Sequence, residues 1–266
     1  MRPIWKGAVT FGLVYIPVKV YAATEQKDVK FHLLHKTCRT PIRYRHHCPT
    51  CKQDVGSEDL VRGYEYEKGR YVVLSEEDLE NVHGQEKRNV ILLDFVKQAE
   101  VSPVYYQKTY YLAPTEGSER VYELLRQAMD RTRKAAVGRV AVRVKQSPAL
   151  VWPSGRALIL STLHYPDEVR SIEAMPELHQ NVQVHENELK MAESLIESLT
   201  APFDPAKYRD EYREALLDVI RKKVAGEEVV VPPPRAEKVI DLMEALKQSI
   251  ELAKKERGTK KRGAGA

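Results

Sequence analysis

Three cysteines and a histidine near residue 40 have the types and the spacing of metal ligands. Two residues separate His35 from Cys38, two residues separate Cys48 from Cys51, and nine residues lie between the two pairs. Two such pairs supply the four nitrogen and sulfur ligands that a tetrahedral structural zinc ion prefers. The sequence therefore predicts a structural zinc site formed by Cys38, Cys48, Cys51 and His35.

Other interpretations of this cluster remain open. His32, His46 or His47 could take the place of His35, and the spacing is shorter than in the commonest zinc fingers. Three thiols without metal are the plain alternative. A redox Cys-x2-Cys motif is less favoured, because no βαβ pattern surrounds it. We expect no cofactor to be required beyond this one structural ion.

Two groups of basic residues have the spacing expected of a phosphate-binding surface. Between residues 126 and 145 the only acid is Asp130, and residues 139–145 alternate valine with basic or small residues, as in a half-buried strand. The other group is Arg39, Arg43 and Arg45 with His46 and His47. A short strand would place Arg43 and Arg45 on one face. We predict phosphate contacts from Arg43, Arg45, Arg126, Arg131, Arg133, Lys134, Arg139, Arg143 and Lys145. A solvated outer face of a sheet is the alternative for both groups.

Motifs of catalysis are missing from the sequence. It contains no phosphate-binding Gly-x4-Gly-Lys loop, no Gly-x-Ser-x-Gly elbow and no Gly-x-Gly-x2-Gly fingerprint. Paired carboxylates such as Glu76 and Glu77 lie in hydrophilic runs typical of a solvated face. We expect a protein that is not an enzyme. A nuclease or lyase acting on nucleic acid is the main alternative, and a zinc-stabilised adaptor without a DNA role is a third.

Composition limits the class of protein further. The chain has 266 residues, of which 42% are hydrophobic, and no apolar run approaches the roughly 20 residues of a membrane helix. The N-terminus lacks the apolar region of a signal peptide, so we expect a cytoplasmic protein. Residues 254–262 carry six basic residues against Glu256 alone, which equals the whole formal net charge of +5. Any affinity of the body for nucleic acid must therefore come from local basic surfaces.

Hydrophobic periodicity predicts mostly strands in the first two thirds of the chain. The predicted strands are Ala8–Val20 with a bend at Gly12, Val29–Leu34, Pro41–Arg45, Tyr71–Leu74, Asn89–Phe95, Val104–Leu112, a strand after Gly138, and Ala157–Leu163. Ser75 is a predicted helix cap, and Ser118–Lys134 is a predicted helix. Its apolar stripe is Val121, Leu124, Leu125, Ala128 and Met129.

The last third is predicted to be helical. One helix starts near Asn187 and ends before Pro202, and another runs from Asp204 to Gly226. A triproline at 232–234 marks a linker, followed by an amphipathic segment that either docks on a partner or packs on the body. This order predicts a mixed, mainly β fold, with a β-rich core followed by C-terminal helices.

Motifs along nearly the whole chain resemble those of one family, the bacterial Ku proteins. The similar segments are Trp5–Val18, Phe31–Lys36, Ile42–Tyr44, Gly63–Tyr66, Gly69–Leu74, Tyr110–Pro114, Tyr165–Arg170 and Phe203–Tyr208. They occur in the order that the family shows. The resemblance does not assign individual DNA contacts, and it does not carry the zinc site.

The resemblance implies a non-enzymatic homodimeric ring that is associated with the nucleoid. Each subunit would give a Ku-type β-barrel and a bridge, and the ring would encircle a double-stranded DNA end without reading its sequence. It would protect and bridge ends in non-homologous end joining and recruit the multidomain bacterial repair ligase, ligase D. The implied domains are a core at 1–200, a dimer-stabilising helical arm at 201–228, and a linker, ligase-recruiting segment and basic tail at 229–266. The ligase-recruiting residues would be Val239, Leu242, Met243 and Leu246.

Overall fold

The computed structural model describes residues 1–82, 89–142, 145–179, 182–226 and 249–250. It divides the chain into two compact units, Met1–Ile172 and Glu173–Ala266. The described strands are β1 (Trp5–Phe11), β2 (Val14–Ala22), β3 (His46–Cys48), β4 (Gln53–Val55), β5 (Arg62–Glu67), β6 (Arg70–Leu74), β7 (Asn89–Val96), β8 (Tyr106–Pro114), β9 (Ala135–Val142), β10 (Lys145–Ser154) and β11 (Ala157–Leu163). The described α-helices are α1 (Glu76–Val82), α2 (Glu119–Thr132), α3 (Glu186–Leu199) and α4 (Glu211–Ala225).

Seven strands of the first unit form a closed barrel in the order β1-β2-β8-β11-β10-β9-β7. An odd number of strands cannot alternate in direction all the way round, so one neighbouring pair has to be parallel. That pair is β1 and β7, in which Ala8–Thr10 lie beside Asn89–Ile91. The barrel and the C-terminal helices confirm the predicted mixed, mainly β fold class.

The barrel interior is filled by alternate side chains of the strands. On β2 the inward residues are Ile16, Val18 and Val20, which are fully buried, as strand periodicity requires. Leu158 and Leu160 of β11 lie in the same core cluster. The apolar positions that the sequence alternates therefore face one continuous core.

Helix α2 packs on the barrel with a face that differs from the predicted stripe. Tyr122, Leu125 and Met129 are its buried residues. Val121 and Leu124 are exposed instead, and they line an apolar groove of about 560 Å³ beside the β1–β2 hairpin. Three of the five predicted stripe residues, Val121, Leu124 and Ala128, are exposed. Only Leu125 and Met129 are buried as predicted, because Tyr122 takes the inward position, where its hydroxyl has a partner.

The first predicted strand is in fact a hairpin. Phe11 pairs with Val14 across a two-residue turn, and Gly12 there has a φ of +55°. That left-handed conformation is accessible to glycine without a steric penalty. A bend at Gly12 was thus correctly located, but the chain reverses there.

The predicted strands at 29–34 and 41–45 are not formed. Their only pairing is a single bridge between Leu34 and Pro41, and the next strand, β3, begins at His46. The chain between β2 and β7 is a long insertion that carries two small hairpins, β3–β4 and β5–β6. Among residues 23–79 no side chain is buried.

Helix boundaries follow the capping residues. Ser75 caps α1 as predicted, since the Asp78 N–H donates to its hydroxyl at 3.1 Å. Asp204 caps only a short 3-10 turn, accepting from the Ala206 N–H. The following α-helix starts at Glu211 because Asp210 accepts from the Arg213 N–H. Gly226 ends it with a φ of +77°, as expected.

Candidate nucleic-acid interface

Of the basic residues predicted along one strand, Arg139 lies on β9 and Lys145 is the first residue of β10. The two strands are antiparallel, and Lys145 pairs with Val142. Arg139 is exposed on β9, opposite Pro148. Arg143 and the side chain of Lys145 lie outside what the structure describes. The prediction of one continuous strand from Arg139 to Lys145 was wrong, because two antiparallel strands share that stretch.

Three further cations cluster where α2 ends. Arg131 is in its last turn, and Arg133 ends the helix in a left-handed conformation with a φ of 52°. Both side chains are exposed, while Lys134 is half-buried at the edge of the apolar groove. Positive charge at a helix C-terminus also offsets the helix dipole. These cations are accessible to phosphates and have a local structural role as well.

Arg126 is held within the protein. Its Nε and Nη2 donate to the Glu123 carboxylate at 2.8 and 2.7 Å, and its Nη1 donates to the Gly155 carbonyl at 2.9 Å. Only 15% of its side chain is exposed. Hydrogen bonding by Arg126 is the main cause that lowers the pKa of Glu123 to about 2. This arginine ties α2 to the turn between β10 and β11.

The two arginines of the insertion have different surroundings. Arg45 Nη1 donates to Asp54 Oδ2 at 3.1 Å, across the β3–β4 hairpin. His47 Nδ1 also lies 3.1 Å from the other Asp54 oxygen. His47 first and Arg45 second lower the pKa of Asp54. Arg43 is exposed in the loop before β3.

These two arginines belong to a strongly basic segment of the chain. Residues 27–52 contain seven lysines and arginines against one acid, Asp28, and all seven side chains are exposed. The predicted basic cluster contained three of the seven, and alternation on a strand singled out Arg43 and Arg45 as contacts. A count of charge over the segment would have added Lys27, Lys30, Lys36 and Lys52.

The predicted zinc ligands form two separate pairs. His35 Nδ1 lies 3.0 Å from Cys38 Sγ, and the Cys51 N–H donates to Cys48 Sγ at 3.5 Å. All three cysteines are free thiols. No three His, Cys, Asp or Glu side chains converge on one point anywhere in the described part of the chain.

The thiol pKa values follow the hydrogen bonds within each pair. Thr40, through its side chain and backbone, and then His35 lower the pKa of Cys38 to about 7. The backbone N–H of Cys51 lowers the pKa of Cys48, and the neighbouring Cys48 sulfur raises that of Cys51. These hydrogen bonds therefore favour the thiolate form of Cys38 in the first pair and of Cys48 in the second.

A family model described as "Ku70/Ku80 beta-barrel domain" matches residues 10–191, which is more than half of the chain. The chain belongs to the Ku family. A "Non-homologous end joining protein Ku" from Heliobacterium modesticaldum is 46% identical over 96% of this chain and 93% of its own length. Proteins of the same name from Bacillus subtilis and Archaeoglobus fulgidus are each 40% identical over 96% of this chain. The match covers 83% of the Bacillus protein and 100% of the Archaeoglobus protein.

The Ku match covers the barrel except residues 5–9 of β1, and it includes the insertion and the first six residues of α3. The proposed ligase-recruiting residues Val239, Leu242, Met243 and Leu246 lie beyond it and outside the described residues. Within the described residues, no helix has the length and apolar character needed to cross a membrane.

Proposed function

We propose that this Ku protein forms a homodimeric ring that binds double-stranded DNA ends in non-homologous end joining, without sequence specificity. The ring protects and bridges the ends and recruits the multidomain repair ligase, ligase D, which supplies the catalysis. The protein itself is not an enzyme and acts at the nucleoid in the cytoplasm. The observation that carries this proposal is family membership, since the relatives share nearly the full length of the chain and are named for end joining.

Charge supports the DNA-binding part of the proposal. Residues 27–52 contain seven exposed lysines and arginines and one acid. Two of the seven, Lys27 and Arg45, pair with Glu25 and Asp54 just outside this segment. Each phosphate that these cations neutralise releases condensed counterions, which favours binding to any duplex sequence. A second set, Arg131, Arg133 and Arg139, is exposed on the barrel unit. Arg126 is left out of the interface, because Glu123 and Gly155 occupy its guanidinium.

Exposed apolar side chains support the homodimer. The insertion leaves Phe31 69%, Tyr64 64% and Val73 58% exposed, although residues 23–79 bury no side chain of their own. Apolar surface that a single chain leaves exposed is available to a partner. A second copy of the insertion would cover this surface and close a ring.

Comparison of linear with covalently closed circular DNA tests the proposal. A ring that threads onto ends should shift a linear duplex in a gel and leave a closed circle of the same sequence unshifted. Sealing both ends of the linear duplex with bulky hairpin blocks should abolish its shift. Equal binding to closed circles, or a monomer in sedimentation analysis, would contradict the ring. Cleavage of the labelled duplex in Mg²⁺ or Mn²⁺ would support a nuclease instead.

A further inference from the structure

Two turns in the insertion share one construction. In the first, the Arg39 N–H donates to the carbonyl of His35 at 2.8 Å, and in the second the Lys52 N–H donates to that of Cys48 at 2.8 Å. Arg39 and Lys52 both have a φ of 54°. Each turn thus places two candidate ligands three residues apart and then continues through a left-handed residue.

The left-handed residues make the similarity of the two turns informative. Among the described residues, only Arg39, Lys52 and Arg133 adopt a positive φ without being glycine. Two of these three directly follow the second ligand of a pair. A non-glycine residue adopts this conformation only where its surroundings favour it. The repeated geometry therefore identifies two similar knuckles.

Each knuckle is closed by pairing on both sides. The first is flanked by the bridge between Leu34 and Pro41 and by the Ile42 N–H, which donates to the Leu33 carbonyl at 3.1 Å. The second is the turn of the β3–β4 hairpin, in which Cys48 pairs with Gln53. In the second knuckle the Cys51 N–H also points at Cys48 Sγ. A backbone N–H directed at a sulfur stabilises the thiolate form that binds metal.

We propose that His35, Cys38, Cys48 and Cys51 bind one structural zinc ion that joins the two knuckles. One imidazole nitrogen and three thiolates are a tetrahedral ligand set that zinc prefers, and four protein ligands leave no open position for catalysis. Binding of Zn²⁺ displaces the three thiol protons to solvent, so the occupied site carries a net charge of −1. Zinc binding at these four residues does not depend on the DNA-binding function.

His35 is the fourth ligand because of its position. Its Nδ1 already contacts Cys38 Sγ at 3.0 Å. His47 is instead engaged with Asp54 at 3.1 Å. The choice of His35 also gives both knuckles the same spacing of two intervening residues.

A metal link would matter for this part of the chain. Residues 23–79 have no buried side chain, and small units without a core are commonly held by a metal or a disulfide. The two pairs do not converge on one point in the described structure, so a bound ion would draw the knuckles together. It would thereby fix the loop 39–47, which carries Arg39, Arg43 and Arg45, between two ligated ends.

Metal analysis of the full chain, purified without a histidine tag, tests this inference. About one zinc ion per chain is expected by mass spectrometry of the metal content. Cys48→Ser and Cys38→Ser should each lose it, while the matched control His32→Ala should retain it. Zinc-free protein purified under reducing conditions, or full zinc content in Cys48→Ser, would overturn the proposal.

A measurement on the unaltered sequence guards against misfolded variants. The metal-free chain, loaded with Co²⁺, should show the intense visible absorption of a tetrahedral site and sulfur-to-cobalt charge transfer. Zinc should then displace the cobalt and slow proteolysis within residues 33–55. An octahedral cobalt spectrum without thiolate bands, or a Cys48–Cys51 disulfide in protein purified under reducing conditions, would rule out the site. Neither result would affect end binding, which is measured separately.

Discussion

The hydroxyl of Tyr122 joins helix α2 to the barrel wall. Leu112 of β8 and Leu158 of β11 are register partners. The hydroxyl donates to the Leu112 carbonyl at 2.6 Å and accepts from the Leu158 N–H at 2.7 Å. It thus bridges two backbone groups of neighbouring strands, and burial raises the pKa of this phenol.

Tyr122→Phe should lower the free energy of unfolding by about 1–3 kcal/mol, because two buried backbone groups lose their partner. Urea denaturation followed by circular dichroism measures it. The matched control is Tyr15→Phe, whose side chain is 62% exposed and which should change stability by less than about 0.5 kcal/mol. Equal losses in the two variants would show that the bridge contributes nothing.

The ion pair of Glu123 and Arg126 should make stability depend on pH in the acid range. Arg126 lowers the pKa of Glu123 from an ordinary 4.5 to about 2. The Glu123 carboxylate therefore binds a proton less readily in the folded state than in the unfolded state. The stabilisation is therefore complete above pH 4.5 and is lost as the pH falls through about 2.

Glu123→Gln should consequently melt at a lower temperature than the unaltered chain at pH 7. The difference should shrink steadily as the pH is lowered from about 4.5 towards 2. Thermal melts at several pH values provide the test, with the exposed Glu116→Gln as control. A gap in melting temperature that is constant over this range would assign the effect to packing instead.

Among the elements, β9 depends on Gly138 for its approach to β7. A Cβ built on Gly138 would lie 1.9 Å from the Ile91 carbonyl oxygen and 2.9 Å from Leu92 Cα, both backbone atoms. The pairing of β7 with β9 also shifts register between Leu92 and Asp94, beside this contact. The barrel wall therefore bends at a point where a side chain has no space.

Gly138→Ala should destabilise the protein by about 3 kcal/mol, near the upper end of the cost of overpacking, because backbone has to move. Gly63→Ala is the control, since its Cβ would meet Tyr71 at an ordinary 3.6 Å. Chemical denaturation of both variants measures the difference. A Gly138 variant as stable as the control would mean that β7 and β9 can separate easily.

Hydrophobic periodicity predicted those strands and helices whose own residues show a clear strand or helix pattern. Strand β11 was predicted with its observed bounds, and α2 was found from its helical spacing. Strand β10 was not predicted, and it contains Pro148. It is tolerated there because pairing of β10 with β11 begins only at Ala149, so Pro148 needs no ladder bond on that side. Barrel closure depends on pairs that are distant in sequence, which periodicity cannot reveal.

Part of the candidate site could also be predicted from the sequence, and part could not. The two knuckles could be predicted from ligand spacing, and the charge of the insertion from composition. The role of Arg126 could not, because its acceptor Gly155 lies 29 residues away in sequence. The mistaken strand at 41–45 likewise followed from alternation that no partner strand completes.

The basic insertion gives a prediction about DNA affinity. Lys30→Glu combined with Arg43→Glu should weaken binding to all duplex sequences alike and lower the slope of log affinity against log salt by about 2. Fluorescence anisotropy over a salt series measures this slope. The control Lys190→Glu reverses a charge on α3 that is paired with Glu186. An unchanged slope would remove these two residues from the phosphate contacts.

For the whole molecule, removal of residues 232–266 should separate two activities. Dimerisation and end binding should remain, because the barrel and the insertion lie N-terminal to the cut. Stimulation of ligase D should fall, because the amphipathic segment with Val239 and Leu242 is removed. Sedimentation, gel shifts and a ligation assay test these expectations. A monomeric truncated chain would place the tail in the dimer interface.

The order of strands around the barrel has a consequence for synthesis. Strand β2 ends at Ala22, and its neighbour in the barrel is β8. The other edge of β8 pairs with β11, which ends at Leu163. The barrel cannot close until roughly 140 residues after Ala22 have been translated, and their translation takes on the order of 10 s. During this interval the edges of the first hairpin and the apolar side chains of the insertion are uncovered on the ribosome. We therefore expect the nascent chain to depend on chaperones until its last barrel strand emerges.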